Sequence, residues 1–314
     1  SGVSALVTAA RLGMADQRVL IVEEQAAANL PACLREPFLL TGASDGGVLE
    51  NVLRELKIPL IERRRITHDP LAYQVIGPGL RLDVGEAATT ASELVAWGLA
   101  KPEAAESMVT ALAEASEVER QHMLASPVVK SGALRTLARS VGTTPSAPAP
   151  APGRRGLPNQ VGDAPADLGR LLAAQIRALA NHAGGGTSSE ACARVLGSTL
   201  VGGASLEPGA PGLVDLLRKR VESLYGEFRT IGNDFELIQS SGLTGILQEK
   251  TGEVWLGKAT IVACSPTALC ESLDSKPASK LLGVSEGGAV RRLALHFRVP
   301  RELLPEGMSQ RLIL

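Results

Sequence analysis

The stretch SGVSALVTAARLGMADQRVLIVEE, Ser1–Glu24, decides how the rest of the chain is read. From Gly2 to Leu12 the apolar residues Val3, Leu6, Val7 and Ala10 recur at helical spacing, and Gly13 is placed to end the helix as a left-handed glycine does. Arg18 to Val22 has the length and apolar character of a buried parallel strand, and two acids, Glu23 and Glu24, stand at its end. A helix that starts on glycine, followed by a strand that ends on acid, is the second half of a dinucleotide-binding fingerprint. The unpaired amides and dipole of the helix start attract a pyrophosphate, and the acid accepts hydrogen bonds from ribose hydroxyls. The same residues also fit any strand-loop-helix repeat with a surface acid, so the remaining sequence has to separate the two.

Further along, Asp45 caps a helix carrying Val48, Leu49, Val52, Leu53 and Leu56 on one side. Tyr73 to Ile76, the turn Gly77-Pro78-Gly79 and Leu80 to Val84 spell an antiparallel hairpin. Helical patterns cover residues 86 to 141, then 166 to 181 and 188 to 200, and Pro211 opens one through Val214, Leu216, Leu217 and Val221. Thr143 to Gly162, rich in Pro, Ala and Gly, is a mobile loop or linker with almost nothing to pack. From Phe228 the period changes to two. Strands are expected at 228–231, 235–239, 242–248, 253–256, 260–264, 290–299 and 309–314, the last stopping in mid-pattern.

The bulk numbers close off several functions. Basic and acidic residues nearly balance at a net charge of −1, which provides no broad basic surface for nucleic acid, and aromatics at 3% leave little material for stacking on bases. Cys33, Cys192, Cys264 and Cys270 form no CxxC pair and no zinc spacing, so they are expected as buried thiols of a reducing, cytoplasmic protein, with the membrane periphery as the outer limit. No apolar run reaches the length of a membrane span. His68, His122, His182 and His296 are scattered outside any catalytic or metal pattern. The Gly-rich HAGGGTSSE at 182–190 lacks the lysine of a P-loop, and Ser188 or Ser189 is the cap of the next helix. EVERQHM and LLRKRVE are charge runs on solvated helix faces.

The order of several segments resembles the FAD-dependent superfamily of phytoene desaturases, amine oxidases and protoporphyrinogen oxidases, most closely its phytoene-desaturase-like branch. SGVSALVTAARLG and RVLIVEE are similar to the FAD-binding start, GVLENVLRELKIPLIE to the helix after the entry loop, and AYQVIGPGLRLDV to the hairpin opening the substrate domain. EPGAPGLVDLLRKRVE resembles the Pro-Gly-Gly turn and helix. FELIQSSGLTGILQEKTGEVWLGKATIVACSP resembles the return to the nucleotide domain. The resemblance implies an α/β fold: a discontinuous Rossmann-like FAD/NAD(P)-binding domain at 1–66 and 205–270, and a mixed-sheet and helical substrate domain at 67–204 and 271–314. It implies cofactor contacts from Ser1, Gly2 as the third fingerprint glycine, Glu23 as the ribose-binding acid, Glu24, Phe235, whose backbone would meet the adenine, and Ala263 near the dinucleotide, and leaves the catalytic residue unassigned.

Three cofactor-contacting pieces of that family have no counterpart in this sequence: the strand with the first two fingerprint glycines, the Gly-Gly-Arg loop, for which Arg35 is a poor substitute, and the C-terminal FAD motif. Three expectations follow. The chain is a flavin-dependent oxidoreductase acting on an apolar or amine substrate; or it is a cofactor-poor relative that has lost FAD and binds a protein partner, as the Rab escort proteins of the same superfamily do; or it is a piece of a longer enzyme. In the first case the chemistry belongs to the flavin, which explains why no acid-base pair stands out.

Overall fold

The computed structural model describes residues 2–25, 36–125, 161, 165–180, 189–207, 210–232, 235–263 and 300–314. In chain order the elements are α1 (Val3–Met14), β1 (Leu20–Glu24), α2 (Val48–Glu55), α3 (Leu60–Arg63), β2 (Ile66–Asp69), β3 (Leu71–Gly77), β4 (Leu80–Gly85), α4 (Ala87–Ala96), α5 (Pro102–Ala125), α6 (Ala166–Ala180), α7 (Ser189–Gly197), β5 (Gly203–Leu206), α8 (Leu213–Ser223), β6 (Glu227–Ile231), β7 (Phe235–Ser240), β8 (Leu243–Gln248), β9 (Glu253–Gly257) and β10 (Leu312–Ile313). The fold is mixed α/β with several small sheets. The chain divides into two compact units, the first formed by Ser1–Phe38, Asn51–Ile66 and Leu206–Ala289, the second by Leu39–Glu50, Thr67–Ser205 and Val290–Leu314.

In the first unit β1 and β6 pair in parallel, from Leu20 opposite Glu227 to Glu24 opposite Ile231. Helices α1 and α8 pack together through stripes at helical spacing, Leu6, Ala9 and Ala10 on one and Leu213, Val214, Leu217 and Val221 on the other, all buried. Each fully buried leucine or valine there contributes about 1.5–3 kcal/mol. Gly13 does not end α1. It lies inside the helix, where a Cβ would stand 3.0 Å from the Leu224 side chain, and the left-handed residue is Asp16, at φ 57°. The glycine is thus explained by close approach rather than by handedness. Strands β7, β8 and β9 form an antiparallel meander whose first turn, Ser241-Gly242, has positive φ at both residues, as a twisted two-residue hairpin requires.

In the second unit β3 and β4 form the expected hairpin around Pro78-Gly79. Proline comes first and glycine at φ 69° second, the arrangement of a type II turn. β10 adds in parallel to β3, with Leu312 opposite Gln74 and Ile313 opposite Val75. Helices α4 to α7 supply the rest of one apolar core that includes Tyr73, Leu82, Leu94, Leu112, Leu168 and Leu196. Against α5, helix α7 presents Gly197, where a Cβ would lie 2.2 Å from the Leu112 carbonyl oxygen. The Tyr73 hydroxyl, deep in this core, donates to Gln175 Oε1 at 2.6 Å.

Several expected elements differ. The helical pattern from 86 is two helices: the chain turns at Gly98, φ 65°, and restarts with Pro102 at the head of α5, a break that the glycine and proline dictate. Residues 260–263 carry no strand, and Ile261 and Val262 are exposed, because no neighbouring strand among the described residues takes up their ladder. Only Leu312–Ile313 of the expected 309–314 strand pairs. Val161, assigned to the loop at 143–162, is buried against the second core; the remainder of that loop, Cys264 and the strand at 290–299 lie outside the described residues.

Two outcomes test this packing. Gly197→Ala forces α7 off the α5 backbone and lowers stability by about 1–3 kcal/mol or more, measured as a shift of the urea midpoint. Burial pushes the Tyr73 phenol well above its ordinary value of 10.0, with a hydrogen bond from Thr199 opposing the shift weakly. A raised folded value means that this group's contribution to stability is intact below the unfolded value and is lost as pH climbs above it. The sequence holds two tyrosines. In a spectrophotometric alkaline titration, the Tyr73 half of the tyrosinate signal therefore arrives only together with unfolding, and Tyr73→Phe removes that coupled step.

Candidate functional site

The helix start and strand end read from the sequence are both in the first unit. Gly2 precedes α1 in an extended conformation at φ −84° and ψ 169°, with no side chain capping the helix and no acid in its first turn. A Cβ built on Gly2 meets nothing within 4 Å apart from its chain neighbours. The first amides of a helix and the positive end of its dipole are the elements that an anion uses. Ser1 lies outside the described residues.

The two acids at the end of β1 have different fates. Glu23 is buried, its side chain 3% exposed, and Arg218 of α8 donates from Nη1 to Glu23 Oε2 at 2.8 Å. The Arg218 guanidinium also lies 3.8 Å from the centroid of the Phe228 ring on β6, a cation-π contact that holds it in place. Separating such a pair leaves uncompensated buried charge, at a cost of about 3–5 kcal/mol. Glu24, one residue later, is exposed. Phe235 is half-buried at the start of β7, and Ala263 is exposed beyond β9, outside any strand.

A second glycine-led helix start is closed from within. Gly212 precedes α8, and the Glu36 carboxylate accepts hydrogen bonds from the amides of Leu213 at 2.9 Å and Val214 at 3.0 Å. A Cβ on Gly212 would stand 2.2 Å from Glu36 Oε1, so glycine is what lets the carboxylate seat itself.

Arg218 and Glu36 are not assigned a role by the sequence reading. LLRKRVE is read there as a solvated face, yet Arg218 follows Val214 and Leu217 and precedes Val221 at helical spacing, which puts it on the buried stripe. That periodicity was the available signal. Arg220 likewise turns inward, donating to the Leu56 carbonyl at 2.6 Å. Glu36 offers no local signal, being 177 residues from its partner. Of the histidines, His68 bonds Glu86 at 2.8 Å in the second unit, and His182 and His296 lie outside the described residues. Cys192 is a buried free thiol, and its ionisation is pushed up by burial and by Glu190. Among the described residues no cluster is fit to hold a metal, and no helix is long and apolar enough to cross a membrane.

No family model matches the sequence, and no curated protein matches it significantly. Comparison with solved structures finds a likeness in fold. A crystal structure of an oxidoreductase from Methanosarcina mazei superposes with a TM-score of 0.51 at 14% identity, covering 90% of this chain and 63% of that one. A protein from Pyrococcus furiosus gives 0.49 at 12% identity, covering 91% of this chain and 64% of its own. The chain thus spans less than two thirds of the length of either structure.

Glu36→Ala uncovers the first amides of α8 and removes the charge facing its dipole. It lowers the stability of the first unit by about 1–2 kcal/mol, while Glu36→Asp, too short to reach both amides, recovers part of the loss. Chemical denaturation followed at Trp255, within the first unit, reads both values.

Proposed function

We propose that this chain is an oxidoreductase of the FAD-dependent phytoene-desaturase and amine-oxidase type, dehydrogenating an apolar or amine substrate. The observation that carries the reading is the α1–β1 unit: a helix opening on a glycine with its first amides uncovered, followed by a parallel strand that ends on acids. The fold shared with the Methanosarcina mazei oxidoreductase and the family-like order of the sequence segments support it.

The residues present fit the nucleotide half of FAD. The amides of Val3 and Ser4 at the head of α1 would hold the pyrophosphate, next to Gly2, where a Cβ meets nothing within 4 Å. An acid at the end of β1, Glu23 or Glu24, would accept the ribose hydroxyls. The backbone of Phe235 would meet the adenine, and Ala263 would lie near the dinucleotide. FAD itself, when bound, supplies the redox chemistry by accepting a hydride from the substrate. The chain's own work is to bind and orient.

A second reading has one observation in its favour: Glu23 is already committed to Arg218, as in a relative that has given up the cofactor and binds a protein or an apolar small molecule instead. Titration of the purified chain with FAD, followed by flavin fluorescence and calorimetry, separates the two. Saturable binding with a yellow complex is expected. A chain that stays colourless and binds neither FAD nor ADP overturns the flavoenzyme reading.

A further inference from the structure

We propose that the turn from α2 into α3 is a docking surface for an anionic lipid membrane, in which Leu60 and Ile61 enter the headgroup layer while Lys57 and Arg64 meet the charged groups of the lipids.

The segment KIPLIERR, residues 57–64, is anchored on both sides and bare in the middle. Leu56 and Ile58 are buried at its start and Ile66 just past its end, whereas Leu60 is 51% and Ile61 67% exposed. α3 has no buried residue, so these two adjacent aliphatic side chains do not serve the core of the first unit. The charge around them is lopsided: residues 54–65 hold five cations against two acids, in a chain whose net charge is −1. Both acids are already engaged, Glu55 by Arg11 at 2.6 Å and Glu62 by Arg65 at 3.2 Å. Lys57 and Arg64 are exposed and enter no ion pair among the described residues.

This combination selects the partner. A nucleic acid would use the cations and leave Leu60 and Ile61 in water. An acidic peptide would need a groove to cover its own apolar side, and a four-residue helix with no buried residue provides none. An anionic membrane takes up both features at adjacent depths, because its charged groups lie directly over hydrocarbon. Each Lys or Arg held near such a surface raises binding about fivefold, and inserted aliphatic side chains add to that.

The experiment is flotation of the whole chain with phosphatidylcholine vesicles, with and without phosphatidylserine. Binding is expected only where phosphatidylserine is present, and it weakens as salt is added. Lys57 stands at φ 54°, so Lys57→Gly removes the charge and suits the left-handed backbone. Combined with Arg64→Gln, it is expected to reduce partitioning by about tenfold or more without lowering the melting temperature. Leu60→Ser with Ile61→Ser keeps every charge and is expected to lose binding as well. Unchanged partitioning in the serine variant overturns the proposal, since the surface would then be electrostatic alone. Failure of the unaltered chain to float with phosphatidylserine vesicles overturns it too, as does capture by RNA or polyglutamate in place of vesicles. The flavin titration is made without lipid, so its outcome is read independently of this one.

Discussion

A carboxylate buried at the end of a strand has to be paired, and in the first unit that requirement organises everything around it. Glu23 sits on β1, its partner Arg218 on α8, and the ring that steadies the guanidinium, Phe228, on β6. β1 is therefore tied by one cation to two consecutive elements, α8 and β6, from the far end of the chain. The need is real, because two parallel strands make a poor sheet alone: their ladder is short, and parallel strands are found almost only where other layers cover them. Breaking a pair with a buried carboxylate costs up to about 3–5 kcal/mol, a large share of a domain margin of about 5–15 kcal/mol, so moving α8 off β1 sharply lowers the stability of the unit.

The second unit fixes its segments by side chains as well, around a buried amide and a partly buried guanidinium. Its core is apolar, and the polar side chains inside it are spent on fixing chain segments. Gln74 is fully buried, and its amide bonds Asp83 Oδ1 at 2.7 Å and the Gly307 carbonyl at 2.8 Å, while its Oε1 accepts from the Ser309 amide at 2.7 Å. Arg311 reaches the Ala72 and Ala204 carbonyls, the latter by a short contact, with Asp69 nearby to offset its burial. Residues 307 to 311 are thus pinned by side chains, which is why β10 needs only two residues of ladder to stay in the sheet. Alternation at 309–314 suggested a longer strand. The side chains that replace the ladder come from elsewhere in the chain, and no local pattern could announce them.

What was legible in the sequence is what has a local cause. α1 follows from its apolar stripe, the β3–β4 hairpin from Pro78-Gly79, and α8 from Pro211 and the spacing of Leu213 to Val221. The break between α4 and α5 was equally local, at Gly98 and Pro102, and was legible had the punctuation been weighed above the run of helix formers. The segment at 260–263 shows the opposite limit: alternation describes a strand's side chains, but a strand exists only where a neighbour completes its hydrogen bonds. At the candidate site, Gly2 and the acids of β1 could be named from the motif, whereas which acid is buried depends on Arg218, 195 residues away.

The two glycine-led helices bring this distinction to the chemistry. α1 and α8 each begin after a glycine, and the dipole argument alone would make both anion sites. Glu36 removes α8 from consideration: its carboxylate already occupies the position that an anion would take, and a free ion would have to displace a charge that the chain delivers without loss of translational freedom. α1 has no acid in its first turn, and a Cβ on Gly2 would meet nothing within 4 Å apart from its chain neighbours. Among the described residues, one helix start is thus satisfied by a carboxylate and the other has no side-chain cap. The start without a side-chain cap is the one followed by β1, so Gly2 and the acids of β1 lie on one continuous αβ segment rather than on two that must be brought together.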